Sequence, residues 1–355
     1  MAVISGRTCP LSYRVGASRL RSMPRFRTET LYVVGGLYGN LPALHAVQRR
    51  VQEERKPTHT IFNGDFNFFN ATPEQWREVN GTIRKSARTF ATLGNVEIEA
   101  TGPASDAGCG CGYPEYVSDG VVERSNEIVE RLRAAACVAD DLDLVRWIRS
   151  LPMGMVVELG AERRPVGIVH GDPDSLAGWG LAVEVQEPLD HALRNRLGCT
   201  SPATSHSHIH EWSRAAGVQA FLCTHTCLPF FQDIPPESAP TDVDAAGAHQ
   251  SNGVFIGNNG AAGLPNFSGH AFGLATRVSA DMSRPHDSVY GMVLRGLRYD
   301  AIPIHYDSDA WLSSFVSMWP EGSAAHLSYH DRIVNGPAFT LKDAARGNVE
   351  LYVEA

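Results

Sequence analysis

No stretch of this 355-residue sequence approaches the ~20 consecutive apolar residues that a membrane-crossing helix needs. It also lacks an excess of positive charge. The 31 lysines and arginines stand against 39 aspartates and glutamates, for a formal net charge of -8, which argues against a nucleic-acid binder or a protein held to anionic lipid. No secretory leader, internal repeat, or nucleotide- or sugar-recognition motif is visible. The seven cysteines (Cys9, Cys109, Cys111, Cys137, Cys199, Cys223 and Cys227) are odd in number and scattered. A secreted disulfide framework is therefore excluded, and a reducing cytoplasm is the expected setting. Residues 1–28 hold six arginines and no acid. A transit peptide can share that composition, but Pro10 and Pro24 interrupt any long amphipathic helix, so a basic N-terminal arm, ordered or frayed, is expected.

Hydrophobic residues make up 43% of the chain, enough to bury a large core. Short apolar runs alternate with helical patterns. Leu31–Val34 reads as a buried strand, followed by the turn Gly35-Gly36-Leu37-Tyr38-Gly39. A helix follows, with Asn40 as N-cap and Leu41, Leu44, Val47 and Val51 as its apolar stripe. Thr60-Ile61-Phe62 is a strand running into Asn63-Gly64-Asp65, and Thr72-Pro73-Glu74-Gln75 is a capping box. Phe90–Leu93 ends at Gly94-Asn95. Residues 100–119, rich in glycine, read as a loop laid over something. Helical patterns near 120–135 and 140–150 precede strands at Met155–Leu159 and Val166–Val169. Helices near 186–197 and 210–216, strand Ala220–Cys223, a polar loop over 231–251, and strands at Val254–Gly257, Gly273–Val278, Met292–Leu294 and Ala301–Ile304 complete the pattern. The alternation argues for an α/β fold, with polar and glycine positions recurring where strands end, which is where such folds build their sites.

The polar residues past the strand ends are Gly36-Leu37-Tyr38-Gly39-Asn40, Gly64-Asp65, Gly94-Asn95-Val96-Glu97, His170-Gly171 and His225-Thr226-Cys227. Their order and spacing resemble the motif series of the calcineurin-like metallophosphoesterases: Asp-x-His-Gly-Asn, Gly-Asp, Gly-Asn-His, His-Gly and Gly-His-x-His. The segment GNLPALHAV after the first motif and WIRSLP at 147–152 fit the same pattern. The resemblance covers about residues 30–305. It implies a sandwich of two mixed β-sheets flanked by α-helices, spanning 29–305. The basic N-terminal arm, 1–28, and a C-terminal extension, 306–355, are additions to it, and the extension is expected to pack on the same domain.

In that family two metal ions share a bridging aspartate, matched here by Asp65. The resemblance gives the second ion Asn95, His170 and His225. The first ion's remaining ligands fall on Gly36, Tyr38 and Cys227, and the family's catalytic histidine falls on Val96. Glycine offers no side-chain ligand, tyrosine is a poor zinc or magnesium ligand, and cysteine binds zinc or iron as thiolate. The expectation is thus one divalent or trivalent transition metal per chain (Fe, Mn or Zn), held by Asp65, Asn95, His170 and His225, with Cys227 as a further candidate ligand. The partner implied is a small phosphorylated molecule, not nucleic acid or membrane.

A single ion can still polarise a phosphoryl oxygen, but the two-ion clamp and a general acid worth ~10²–10⁴ in rate are missing. The function expected is a metal-dependent hydrolase acting on a phosphodiester or another small phosphorylated substrate. Three alternatives stand beside it: a mononuclear-iron oxidoreductase or lyase on the same fold, a non-catalytic binding module, and a two-ion site rebuilt from residues outside the motifs. Tyr38, Asn67, Cys109, Cys111 and Asn259 are candidate pocket residues, and Asn70 follows Asp65 closely enough to join them. Cys109-Gly110-Cys111 reads as a metal-binding or redox pair, or as a tight loop with half-buried thiols. His206, His208 and His210 alternate; on an extended segment they would share one face, and otherwise they lie in a solvated loop ahead of a helix at Glu211. Asp172 is a candidate to orient His170. Trp179 and Trp212 read as core.

Overall fold

A computed structural model describes residues 5–103, 107–237 and 253–353. Two short 3-10 turns, Leu11–Tyr13 and Ala17–Ser22, lead into β1 (Arg25–Thr28). Next come β2 (Thr30–Val34), α1 (Leu41–Gln52), β3 (Thr58–Asn63), α2 (Pro73–Lys85), β4 (Thr89–Thr92), α3 (Asn95–Thr101), α4 (Asp119–Ala139) and α5 (Leu142–Arg149). The middle of the chain supplies β5 (Gly154–Leu159), β6 (Arg164–Val169), α6 (His191–Leu197), α7 (His206–Ala216), β7 (Ala220–Cys223), β8 (Phe230–Ile234), β9 (Val254–Asn258), β10 (Gly273–Ser279), β11 (Tyr290–Leu294) and β12 (Leu297–Ile304). Helices α8 (Ser308–Met318), α9 (Ala324–Asn335) and α10 (Leu341–Ala344) and strand β13 (Glu350–Leu351) close it.

Among the described residues the strands form two mixed sheets, ordered β1-β5-β6-β7-β9-β8 and β13-β11-β12-β10-β2-β3-β4. Their inner faces interleave Val33, Ile61, Val278 and Tyr299 of one with Val156, Ile168, Leu222 and Phe255 of the other, and Phe255 and Tyr299 stack with centroids 3.7 Å apart. Helices cover the outer faces. The fold is the expected one: a sandwich of two mixed β-sheets flanked by α-helices.

Strands β2, β3 and β4 run parallel in one sheet, and β6, β7 and β9 run parallel in the other. Each group therefore delivers its C-terminal ends to one rim. Asn63, the last residue of β3, stitches the two rims together. Its amide donates to the Val169 carbonyl (2.7 Å) and Thr224 hydroxyl (2.9 Å), while its Oδ1 accepts from the Thr92 hydroxyl. Capping fixes where the helices leave this rim. Asn40 accepts from the Ala43 amide, and Thr72 accepts from the Gln75 amide. The reciprocal half of the Thr72 capping box is not made, because the buried Gln75 Oε1 has no partner.

Two expectations need correction. His206, His208 and His210 lie in the first turns of α7, N-capped by Ser205; His206 meets the Glu187 carbonyl and His210 the Pro235 carbonyl. They share neither an extended face nor a loop. Part of the expected polar loop, Phe230–Ile234, is strand β8, paired antiparallel to β9; residues 238–251 of that loop lie outside the described residues. Strand β1 runs parallel to β5, with Arg25 and Arg27 paired to Glu158. Tyr13 and Leu20, ahead of β1, are fully buried.

Residues past 305 pack against the rest of the chain. Trp311, Phe315 and Trp319 are buried, Trp319 donates from its indole to the Phe69 carbonyl (2.9 Å), and β13 pairs with β11.

Candidate metal centre

Each polar side chain at the rim is placed by the turn that ends its strand. Asp65 follows β3 through Gly64, whose φ of +73° is a left-handed conformation that favours glycine. A Cβ there would also lie 2.5 Å from His170 Nδ1. Asn95 is the first residue of α3, His170 follows β6, and His225 follows β7 by one residue. Tyr38, Asp65 and Cys227 all have positive φ, at 55°, 52° and 57°. Such backbone strain in non-glycine residues clusters where a site over-determines its geometry.

The hydrogen-bond network assigns both imidazole tautomers. His170 Nδ1 lies 2.9 Å from the Asn63 carbonyl, and His225 Nε2 lies 2.8 Å from the Cys111 carbonyl. A carbonyl only accepts, so each of those nitrogens carries the proton. His170 Nε2 and His225 Nδ1 then face each other, 3.3 Å apart, with lone pairs inward. Asp65 Oδ1 is 3.4 Å from His170 Nε2, and Asn95 Oδ1 is 3.2 Å from it. The Asn95 amide nitrogen is turned away, donating to the Cys109 carbonyl at 2.9 Å. Four acceptors thus converge in a buried space, an arrangement that calls for a proton or a metal ion between them. Among the described residues, the donor atoms of Asp65, His170 and His225 lie within 4.8 Å of one another.

Electrostatics follow from the crowding. Burial drives the His225 imidazole down to about 4, helped by neighbouring His170. At His170 burial acts the same way, but the Asp65 carboxylate outweighs it and the net shift is upward. Burial alone would raise Asp65; the two histidines hold it low.

Glu97, the last residue of the third motif, organises this corner. Its carboxylate is fully buried and accepts from the amides of Asp65 (2.7 Å), Gly94 (3.1 Å) and Asn67 (3.1 Å) and from the Asn67 side chain (3.1 Å). Burial, then the Asp65 charge, pushes it up to about 7. An acidic residue two places after Asn95, at the start of a helix, was the available signal. Asn63 had no such signal, since nothing local distinguishes it from any strand-end asparagine. It is the Asn63 carbonyl, not Asp172, that orients His170; Asp172 accepts instead from the amides of Asp174, Ser175 and Gly180.

Gly36, Tyr38 and Cys227 also come together, as a closed contact. A Cβ on Gly36 would lie 2.5 Å from the Tyr38 hydroxyl, so the phenol fills the volume that a side chain at 36 would need. That hydroxyl is hydrogen-bonded to Cys227 Sγ, which also reaches the His225 carbonyl at 3.2 Å. The Cys227 sulfur is thus engaged away from the four converging acceptors. Burial raises its thiol to about 11.

Cys109 and Cys111 form a disulfide with each other. Residues 109–111 lie over the rim as a covering loop, and their carbonyls hold Asn95, His225 and the Trp179 indole. A small cavity of about 130 Å³ opens beside the four acceptors, with Tyr38, Cys111, Trp179 and Arg332 among its walls. Trp179 packs edge-on to His225 and lines this cavity, whereas Trp212 is buried and bonded to Asp174. Cys109, Asn67 and Asn259 lie behind the walls. Asn67 bonds Asn80, Asn70 and Glu97, and Asn259 props the Cys223 carbonyl. Asn70 caps the same buried cluster through the Phe68 amide.

No protein-family model matches the chain, and no curated protein matches its sequence. Solved structures do match in shape. A hypothetical protein from Pyrococcus horikoshii OT3 aligns with 88% of this chain and all of its own, at 14% identity and a TM-score of 0.53. A metallophosphoesterase from Sphaerobacter thermophilus aligns with 87% of this chain and 99% of its own, at 16% identity and a TM-score of 0.47. A serine/threonine phosphatase from Saccharomyces cerevisiae aligns over 82% and 89%, at 13% identity and a TM-score of 0.36. At these identities the likeness concerns fold, and the first of the three carries it. No helix among the described residues is long and apolar enough to cross a membrane.

Proposed function

We propose that this protein is a metal-dependent hydrolase that holds one transition-metal ion through Asp65, Asn95, His170 and His225 and acts on a small phosphorylated substrate. The observation that carries the reading is the pair of imidazole lone pairs, pinned 3.3 Å apart from outside by the Asn63 and Cys111 carbonyls and facing the oxygens of Asp65 and Asn95. Two nitrogens, a carboxylate and an amide oxygen suit Fe, Mn or Zn. Such an ion supplies Lewis acidity toward a phosphoryl oxygen.

The chain's own residues set the rest. Asp65 balances the charge, and the carbonyl-anchored imidazoles fix the ligand geometry before anything binds. Cys111 and Trp179 keep the cavity narrow, limiting water. Val96, buried next to Asn95, offers no proton to a leaving group. With no acid at that position, a substrate whose leaving group departs readily, as in an activated phosphodiester, is favoured. Cys227 is left out of the ligand set, because its sulfur is engaged by Tyr38.

Metal content of the anaerobically purified chain tests the reading. One equivalent is expected, and His170→Ala is expected to lose it. Two equivalents, or metal retained in full by His170→Ala, would refute the site. An ion-free wild-type chain would point to a binding module instead.

A further inference from the structure

Helix α9 lies beyond the stretch that carries the motif resemblance, yet it forms one wall of the candidate cavity. It contributes Tyr329 and Arg332 to the same lining that holds Asp65, Asn95 and His225. Arg332 is held in place rather than loose. Its Nε donates to the Pro265 carbonyl (3.2 Å) and its Nη2 to the Cys227 carbonyl (3.2 Å). Both acceptors are neutral, and among the described residues Arg332 has no ion pair. Two of the five N–H groups of the guanidinium are occupied, and the others are left for a ligand. Its charge is felt at Tyr38, Cys227 and Tyr329, the residues around the cavity on that side. A partly buried guanidinium, anchored only by neutral carbonyls and lining the cavity with N–H groups to spare, is a receptor for an anion.

The cavity limits what that anion can be. At about 130 Å³ it is less than half the size of the smallest of the ~300–1,000 Å³ clefts that enclose a whole drug-sized ligand. The surrounding walls are aromatic: Phe68, Tyr113, Trp179 and Tyr329.

We propose that Arg332 is the anion-binding residue of this cavity, and that the site takes a single tetrahedral phosphoryl group, the remainder of the molecule staying outside. The idea rests on the metal-site reading for what stands opposite the phosphoryl group, but the arginine's part can be measured separately. Arg332 also anchors the turn that carries His225, through the Cys227 carbonyl. A merely structural role would therefore show up as lost metal or lost stability rather than as lost anion affinity alone.

The experiment uses the full chain with Mn(II) and inorganic phosphate, titrated calorimetrically for wild type, Arg332→Met and Arg332→Lys, with metal content and thermal midpoint recorded for each. Phosphate should bind wild type, at least tenfold more weakly to Arg332→Met and intermediately to Arg332→Lys, with metal stoichiometry unchanged. If Arg332→Met fails to fold, Arg332→Lys decides alone: affinity equal to wild type overturns the proposal, and a loss with metal retained supports it. Phosphate that does not bind metal-loaded wild type, or binds Arg332→Met equally, also overturns it. A chain that takes up none of Mn(II), Fe(II) and Zn(II) refutes the metal-site reading, while the phosphate titration of wild type against Arg332→Met still judges the arginine. Phenyl phosphate in place of phosphate separates an ester headgroup from the free ion. Comparable affinity means the alcohol portion lies outside, and exclusion of the ester overturns that part of the proposal.

Discussion

Position 36 has no side chain because position 38 has a large one. The Tyr38 ring occupies the space above Gly36, and its hydroxyl is tied to Cys227. Filling an already packed volume typically costs about 1–3 kcal/mol. Gly36→Ala should therefore destabilise the chain by about that much, and much less when Tyr38 is also alanine. A double-mutant cycle read by urea denaturation should give a coupling of roughly 0.5–3 kcal/mol. Strict additivity would mean that the phenol does not hold the space. This residue-level exchange was only half legible in the sequence. That Gly36, Tyr38 and Cys227 depart together from a ligand pattern could be read from the motifs. That the phenol physically fills the vacancy depends on the positive φ at Tyr38, which no local sequence signal announces.

Among the elements, α1 is tied to the sheet beneath it through one carboxylate. Glu54, just past the C-terminal end of α1, accepts from the Tyr32 hydroxyl of β2 (2.7 Å) and the Arg277 Nε of β10 (2.7 Å). Burial would raise this carboxyl, but Arg277 and Tyr32 outweigh it and hold it below its usual range. A depressed carboxyl contributes stability above its unfolded value and loses it as pH falls through the folded one. Glu54→Gln should cost about 2 kcal/mol near neutral pH and progressively less in acid, by chemical denaturation at a series of pH values. A penalty that does not change with pH would show that the charge is not the cause. Periodicity placed most strands and helices correctly because their buried faces are continuous. It missed β1, whose outer residues Arg25 and Arg27 are polar, and β8, whose neighbours in sequence are loop-like. The histidines of α7 misled for a different reason. Ser205 as N-cap starts the helix earlier than its apolar stripe does, so the alternation of serine and histidine mimicked an extended segment.

For the molecule as a whole, the C-terminal helices are part of the core. Trp319 is 1% exposed, donates to the Phe69 carbonyl and lies under the Arg131 guanidinium, 4.3 Å from its ring centre. Trp319→Ala should cost about 3–5 kcal/mol. If packing rather than a separate folding unit is what binds α8 and α9, thermal unfolding should remain a single transition at a lower midpoint. A new early transition with the main one unmoved would instead mark the tail as independent. The sequence could delimit this region but not place it, since long-range packing of a helix pair leaves no motif.

The Tyr38 plug has a further consequence, for how this sequence can change over time. A carboxylate cannot be placed at position 36 while the phenol stands there, and removing the phenol first leaves a hollow beside Cys227 with nothing to fill it. Every single-step path that puts a ligand side chain at position 36 therefore passes through a less stable protein. Positions 36 and 38 are locked to each other: neither changes alone without a loss of stability.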